Sequence, residues 1–200
     1  MMSDTLRPPS EFVGALCISV AGTSGGVGVT TLTALLSDGL GARTGRPPRV
    51  FDHSGGGIAG RLRTASSSGE SSVRDIGLHA TALASASLSG SDRVVIVAGP
   101  DDDSADTALF ALQRMTSVSE DHEAMMRTWE RRSLIVINSI SVRRDPRPVA
   151  DRLAQSAPGA GIIALPWDEA LSLPGPVDHE SVTPATVAVV ASILQAFGVA

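Results

Sequence analysis

Apolar residues in this chain cluster into short unbroken runs separated by polar, glycine-rich stretches. VGALCISVA (13–21), RVVIVA (93–98), SLIVIN (133–138) and GIIALP (161–166) are the clearest. Each has the length and bounding residues of a strand buried on both faces. Two weaker runs, RVF leading to Asp52 and residues 73–76, predict two further short strands. Between the strands the apolar spacing turns helical. Leu32, Leu35, Leu36 and Leu40 fall on one helix face, and Ala105, Ala108, Leu109, Leu112 and Met115 on another. The second helix opens on an acidic turn from Asp103, which suits its dipole. HATALASASL (79–88) reads as a small-residue helix, and TPATVAVVASILQAF closes the chain as a helix with Pro near its start. Strands alternating with helices predict a doubly wound α/β domain: a mainly parallel sheet with helices on both faces. Residues 1–11 form a loose lead-in, and 12–200 form one domain. Residues 53–72, rich in Gly and Ser, read as loops around a short helix.

Composition narrows the function classes. A chain of 200 residues with 42% hydrophobic and 3% aromatic side chains is neither a disulfide scaffold nor a mostly disordered protein. Its net charge of −5 is a poor footing for non-specific DNA binding, which needs a basic field. All 16 basic residues are Arg; the chain has no Lys. The single cysteine, Cys17, sits in an apolar run and reads as a small buried hydrophobe in a reducing compartment. Residues 1–12 carry no secretory pattern, and no run of about 18 apolar residues exists. A cytoplasmic protein without membrane insertion is expected.

The candidate chemistry lies between the first strand and the first helix, in Val20-Ala-Gly-Thr-Ser-Gly-Gly-Val-Gly-Val-Thr-Thr-Leu32. Glycines there let successive N–H groups turn inward and cradle an anion at a helix N-terminus. A phosphate-binding loop adds a Lys for the β/γ-phosphates and a Ser/Thr hydroxyl for Mg²⁺. This stretch resembles the deviant loop KGGxGKT of the ParA/MinD family. Gly25-Gly26-Val27-Gly28 and Thr30-Thr31 match in place, but Ser24 and Val29 stand where the family has its two lysines. Thr23 occupies the usual first glycine, with Gly22 one place early.

The resemblance extends from about residue 13 to the C-terminal region. Asp52 ends the second strand where the family has a D-x-D segment, with Ser54 replacing the second Asp. Val-Arg-Asp75-Ile-Gly77 is similar to the second switch, Asn138 to the residue that reads adenine, and ALPWDEALSLPGPV to a late family segment. The resemblance implies a P-loop NTPase-like fold. It implies ATP or ADP at Gly25, Gly26, Val27, Gly28, Val29, Thr30, Thr31 and Asn138, with Mg at Thr30, Asp52 and Asp75. Losing the lysine removes a charge-assisted contact of roughly 1.5–3 kcal/mol, so binding should be weak or absent. Hydrolysis should suffer more, because stabilising the transferring phosphoryl group is normally the largest catalytic term. The expectation is a hydrolysis-deficient scaffold or adaptor, able to form a homodimer, for protein partners in partition, division, pilus or secretion assemblies. The alternative is a slow Mg-ATPase in which an arginine (Arg43, Arg49, Arg61, Arg63 or Arg74) replaces the lysine.

Other readings of the same residues are weaker. The loop can be a plain strand-to-helix turn capped by Thr30 or Thr31. Gly26-x-Gly28 followed by Asp52 resembles a dinucleotide fingerprint, but Thr31 takes the place of its third glycine. Gly22-Thr-Ser24-Gly-Gly26, with Asp168 and His179 later, matches the order of an α/β-hydrolase triad. Only 23 residues precede Ser24, too few for that fold's upstream oxyanion loop. His53, His79, His122 and His179 lack ligand spacing. Asp101–Asp103 read as a solvated helix start. Arg143-Arg144-x-x-Arg147, with Arg131-Arg132, forms either a basic patch or solvated loop arginines. The last helix carries no Lys or Arg, so it lacks the basic face of a MinD-type membrane anchor.

Overall fold

The structure, a computed structural model, describes residues 15–55, 57–63, 69–78, 91–116, 132–139 and 145–199. Six strands form one sheet: β1 (Cys17–Gly22), β2 (Arg49–Asp52), β3 (Ser72–Gly77), β4 (Arg93–Ala98), β5 (Ser133–Asn138) and β6 (Gly161–Leu165). Their order is β2-β3-β1-β4-β5-β6, and every pairing is parallel. The helices are α1 (Val29–Thr44), α2 (Asp102–Thr116), α3 (Arg147–Ser156), α4 (Glu169–Ser172) and α5 (Pro184–Ala196), with a 3-10 turn at Ile58–Gly60. This is the doubly wound α/β architecture expected from the apolar runs.

Each central strand buries both faces, which is why its sequence reads as continuous rather than alternating. Ile18, Val20, Val95, Val97, Leu134 and Val136 face a core built with Leu32, Leu36 and Leu40 of α1 and Ile193 and Leu194 of α5. Their neighbours Ala21, Val94, Ile96, Ile135 and Ile137 face the other core, against Ala105, Ala108 and Leu112 of α2 and Val149 and Leu153 of α3. Phe197, almost fully buried, closes the first layer just beyond α5. Packing therefore occupies the Val190, Ile193 and Leu194 side of α5. Among the described residues no helix is long and apolar enough to cross a membrane.

The structure departs from the sequence reading in several places. Cys17 is only half-buried, because it starts β1 at the edge of the core. Helix α3 was not expected, since RPVADRLAQS offers only Val149 and Leu153 as buried apolar positions. One i, i+4 pair is too little signal to define a helical period. Strand β2 is an edge strand, largely exposed, which explains its weak hydrophobicity. Asp101 caps α2 by accepting from the Ser104 N–H at 2.9 Å, so the acidic run is a helix start. The lead-in, the helix expected at 79–88, His79, His122, Arg131, Arg143 and Arg144 lie outside the described residues.

One tie fastens α1 to the segment before α5. His179 places Nδ1 2.6 Å from Asp38 Oδ2, and its backbone N–H donates to the same oxygen at 3.0 Å. The Asp38 hydrogen bond, helped by the charges of Asp38, Glu180 and Asp178 and opposed by desolvation, raises the His179 pKa above its ordinary value. A raised folded-state pKa stabilises the fold fully below about pH 6.5 and less as pH rises through the folded value. The His179 side chain is 46% exposed, so screening limits the effect to under about 1 kcal/mol. Thermal midpoints at pH 6 and pH 8 should differ less in His179→Gln than in the natural protein. An identical pH response in both would rule the tie out as a source of pH dependence.

Candidate functional site

The carboxyl ends of five of the six strands converge on a cleft of about 800 Å³. It is lined by the loop after β1 (Ser24–Gly28), the start of α1, Ser54 and Arg61 beyond β2, and Gly77 and Leu78 at the end of β3. Asn138 and Ser139 of β5 and Pro166, Trp167 and Asp168 beyond β6 complete most of the wall. The chain leaves β1 toward β2 on one side and later returns to β4 on the other. Open α/β sheets place their ligand crevice at such a switch point.

The glycine loop is shaped by two valines and two glycines. Val27 and Val29 are 3% and 8% exposed and join the core beneath α1. A Cβ on Gly22 would lie 2.5 Å from Val29 Cγ2 and 2.9 Å from Val27 Cγ2, so only glycine permits this packing. Gly28, at φ +94°, is the N-cap of α1 and supplies no side-chain cap. Neither Thr30 nor Thr31 caps the helix, contrary to the plain-turn reading. The first N–H groups of α1 have no intrahelical acceptor, and its first turn has no acidic residue. A Cβ on Gly25 or Gly26 would meet open space. Together these features leave a backbone cradle open to an anion.

Two of the three residues expected to serve a metal come together. Thr30 Oγ1 donates to Asp75 Oδ2 at 2.7 Å across 45 residues of chain. Asp75 is fully buried, and its Oδ1 accepts the Gly77 N–H at 2.9 Å. Strand register causes this meeting, because Asp75 of β3 lies beside Val20, two residues before the end of β1. Asp52 is placed differently. It is exposed, and its Oδ1 accepts the N–H and hydroxyl of Ser54 at 2.9 and 2.7 Å, closing a local turn. Among the described residues no group of three or more His, Cys, Asp or Glu side chains could hold a metal ion. The Thr30 hydroxyl, with Asp75 behind it, fits a Mg²⁺ that arrives with its own phosphate and water ligands.

Asn138 lines the cleft and also braces the loop. Its Nδ2 donates to the Val27 carbonyl at 2.8 Å, across 111 residues of chain. A Cβ on Gly28 would come within 2.4 Å of that same nitrogen. The sequence suggested a ligand contact for Asn138 but not this structural one.

The sequence marks ALPWDEALSLPGPV as a family-like segment but gives no sign that it walls the cleft beyond β6. Half-buried Trp167 presents an aromatic surface to the cleft and is followed by Asp168, which is 4% exposed. Asp168 Oδ1 caps α4 through the Ala170 N–H at 3.1 Å. Its Oδ2 accepts the Thr183 N–H at 2.7 Å, the Thr183 hydroxyl at 2.9 Å and the Thr186 hydroxyl at 2.8 Å. Desolvation pushes its pKa up, but the bonds from Thr183, Thr186 and Ala170 outweigh it and hold the carboxyl below its ordinary value. An Asp just ahead of Glu-Ala-Leu-Ser was the available cue, as a helix N-cap. Asp168 and His179 have separate partners, so no hydrolase-type acid–His pair forms between them.

The five candidate arginines also separate. Arg43 donates to the Val199 and Ala191 carbonyls beside α5, and Arg63 pairs with Asp178 and Glu180. Arg74 lies over the Phe51 ring, and Arg49 is exposed on the edge strand. Among the described residues Arg61 is the one cation that lines the cleft. Neither a scan against family models nor a search of curated proteins finds a match to this chain.

Proposed function

We propose that the chain is a degenerate ParA/MinD-like P-loop protein that binds ATP or ADP weakly, fails to hydrolyse it efficiently, and works by binding. In this reading it is a scaffold or adaptor that recruits or positions a larger protein assembly. The observation that carries the reading is the seat of Val29. Its side chain is buried against Gly22 and Val27, at the position the resemblance gives to a phosphate-gripping lysine. The loop keeps the open backbone of an anion cradle and puts an apolar plug where the chemistry needs a cation. Backbone N–H groups can hold a phosphate in its ground state. Without the cation, they do little for charge that develops on the transferring phosphoryl group. A bound Mg²⁺ supplies part of that charge compensation, and Thr30 is the side chain that would hold it. Ser24 is exposed and replaces the lysine that reaches across related dimers, so any homodimer would rest on other surfaces.

Calorimetric titration with Mg-ATP, run beside a phosphate-release assay, tests the proposal. Weak binding without turnover is expected. The complementary variant is Val29→Lys, which should raise ATP affinity about tenfold by restoring a charge-assisted contact. Binding that stays unchanged in a folded Val29→Lys protein would count against the cradle. The second reading, a slow Mg-ATPase, is favoured only by the presence of Arg61 in the cleft. Mg-dependent turnover that disappears in Thr30→Ala would establish it instead.

A further inference from the structure

We infer that Arg61 is the residue through which the cleft reads the negative charge of a phosphorylated ligand; this rests on the nucleotide-binding reading above. The residue follows the 3-10 turn at Ile58–Gly60. Its backbone is fixed at both ends: the N–H donates to the Ile58 carbonyl at 2.9 Å, and the carbonyl accepts the Val177 N–H at 2.9 Å. Its side chain is fixed as well. Nη1 donates to the Leu173 carbonyl at 2.5 Å, and Nη2 to the Leu171 carbonyl at 3.3 Å, both at the C-terminal end of α4.

A guanidinium carries five N–H donors. The two bonds to carbonyls leave three for a ligand, on a side chain whose conformational freedom is already spent. Preorganisation of this kind lowers the cost of binding. Among the described residues its bonded partners are neutral carbonyls rather than a carboxylate, and none forms an ion pair with it. The acid that lines the cleft among the described residues, Asp168, has both oxygens engaged by Ala170, Thr183 and Thr186. The planar fork of an arginine matches phosphate oxygens, which makes a phosphate ester or anhydride the fitting ligand class. The same guanidinium holds the carbonyls of Leu171 and Leu173, so a phosphate on Arg61 would also bear on the Trp167–Leu173 wall.

The test titrates the full-length chain and its Arg61→Gln and Arg61→Lys variants with ATP and with adenosine by calorimetry. Thermal midpoints verify folding. In Arg61→Gln the ATP affinity should fall about 10- to 100-fold, the range of a charge-assisted hydrogen bond. Adenosine affinity should stay the same, whereas general damage to the cleft would lower both. Arg61→Lys keeps the charge without the fork and should lose about three- to tenfold; it decides the matter if the glutamine variant does not fold. ATP affinity within about twofold of the natural protein in folded variants would overturn the role of Arg61 while leaving the nucleotide cleft standing. If the natural protein binds no ATP at millimolar concentration, the cleft reading fails and this inference fails with it.

Discussion

Asp168→Ala is expected to lower the unfolding free energy by about 3–4 kcal/mol, a drop in thermal midpoint of roughly 10 °C for a domain of this size. The carboxylate accepts four hydrogen bonds while almost wholly shielded from water. Alanine would leave the Thr186 hydroxyl, itself fully buried, and the Thr183 N–H without that acceptor. It would also untie α4, whose Leu171 and Ser172 line the cleft, from the start of α5. The size of the effect should depend on pH in a definite direction. A carboxylate with a depressed folded-state pKa stabilises the fold above its unfolded value, near 3.9, and that contribution fades as pH falls through the folded value. The gap between natural and variant proteins should therefore hold steady from pH 7 to about pH 5 and close under stronger acid. Denaturant unfolding across that range checks both points. A loss under about 1 kcal/mol at neutral pH would remove Asp168 from its keystone position.

Gly28→Ala should be nearly as damaging, at about 2–4 kcal/mol, and should abolish the proposed nucleotide binding. Two causes combine. At φ +94° an L-residue is strained whatever space surrounds it. The new methyl would also sit 2.4 Å from Asn138 Nδ2, driving the amide off the Val27 carbonyl. The amide can swing aside at the loss of that one bond, whereas the backbone strain has no such relief. A double-mutant cycle with Asn138→Ala separates the two. Part of the Gly28→Ala cost should vanish once Asn138 is shortened. Full additivity would mean that the contact carries no energy and that strain accounts for the whole loss.

Much of the architecture was legible in the chain because burial on both faces of a parallel strand writes itself as an unbroken apolar run. RVVIVA and SLIVIN coincide with β4 and β5 residue for residue. The heptad-like leucines of α1 and the alanines of α2 mark faces that are now buried in opposite layers. Where an element buries little, the signal fails. Helix α3 rests on two apolar residues, and β2 is an exposed edge. The glycine loop was legible for a different reason: its backbone conformations demand a residue type. Gly28 has to be glycine for its φ, and Gly22 for the approach of Val29.

Side-chain partnerships were not legible in that way. Thr30 and Asp75 were both singled out, yet their 2.7 Å contact follows from the register of β1 against β3. Asp52 was grouped with them and instead closes a turn with Ser54. Asn138 was expected to face a ligand and also braces the loop it faces. Among five arginines of equal standing in the sequence, only the path of the chain between β2 and β3 brought Arg61 to the cleft.

The chain by itself determined the layered α/β form, the glycine loop and the absence of lysine from it, because these depend on residue type and on periods of a few positions. Tertiary structure alone decided that Val29 turns into the core, that Asp168 ties the cleft wall to α5, and that Arg61 is, among the described residues, the cation lining the cleft. Each of those facts depends on how separate elements pack against one another, and local pattern carries no record of that packing.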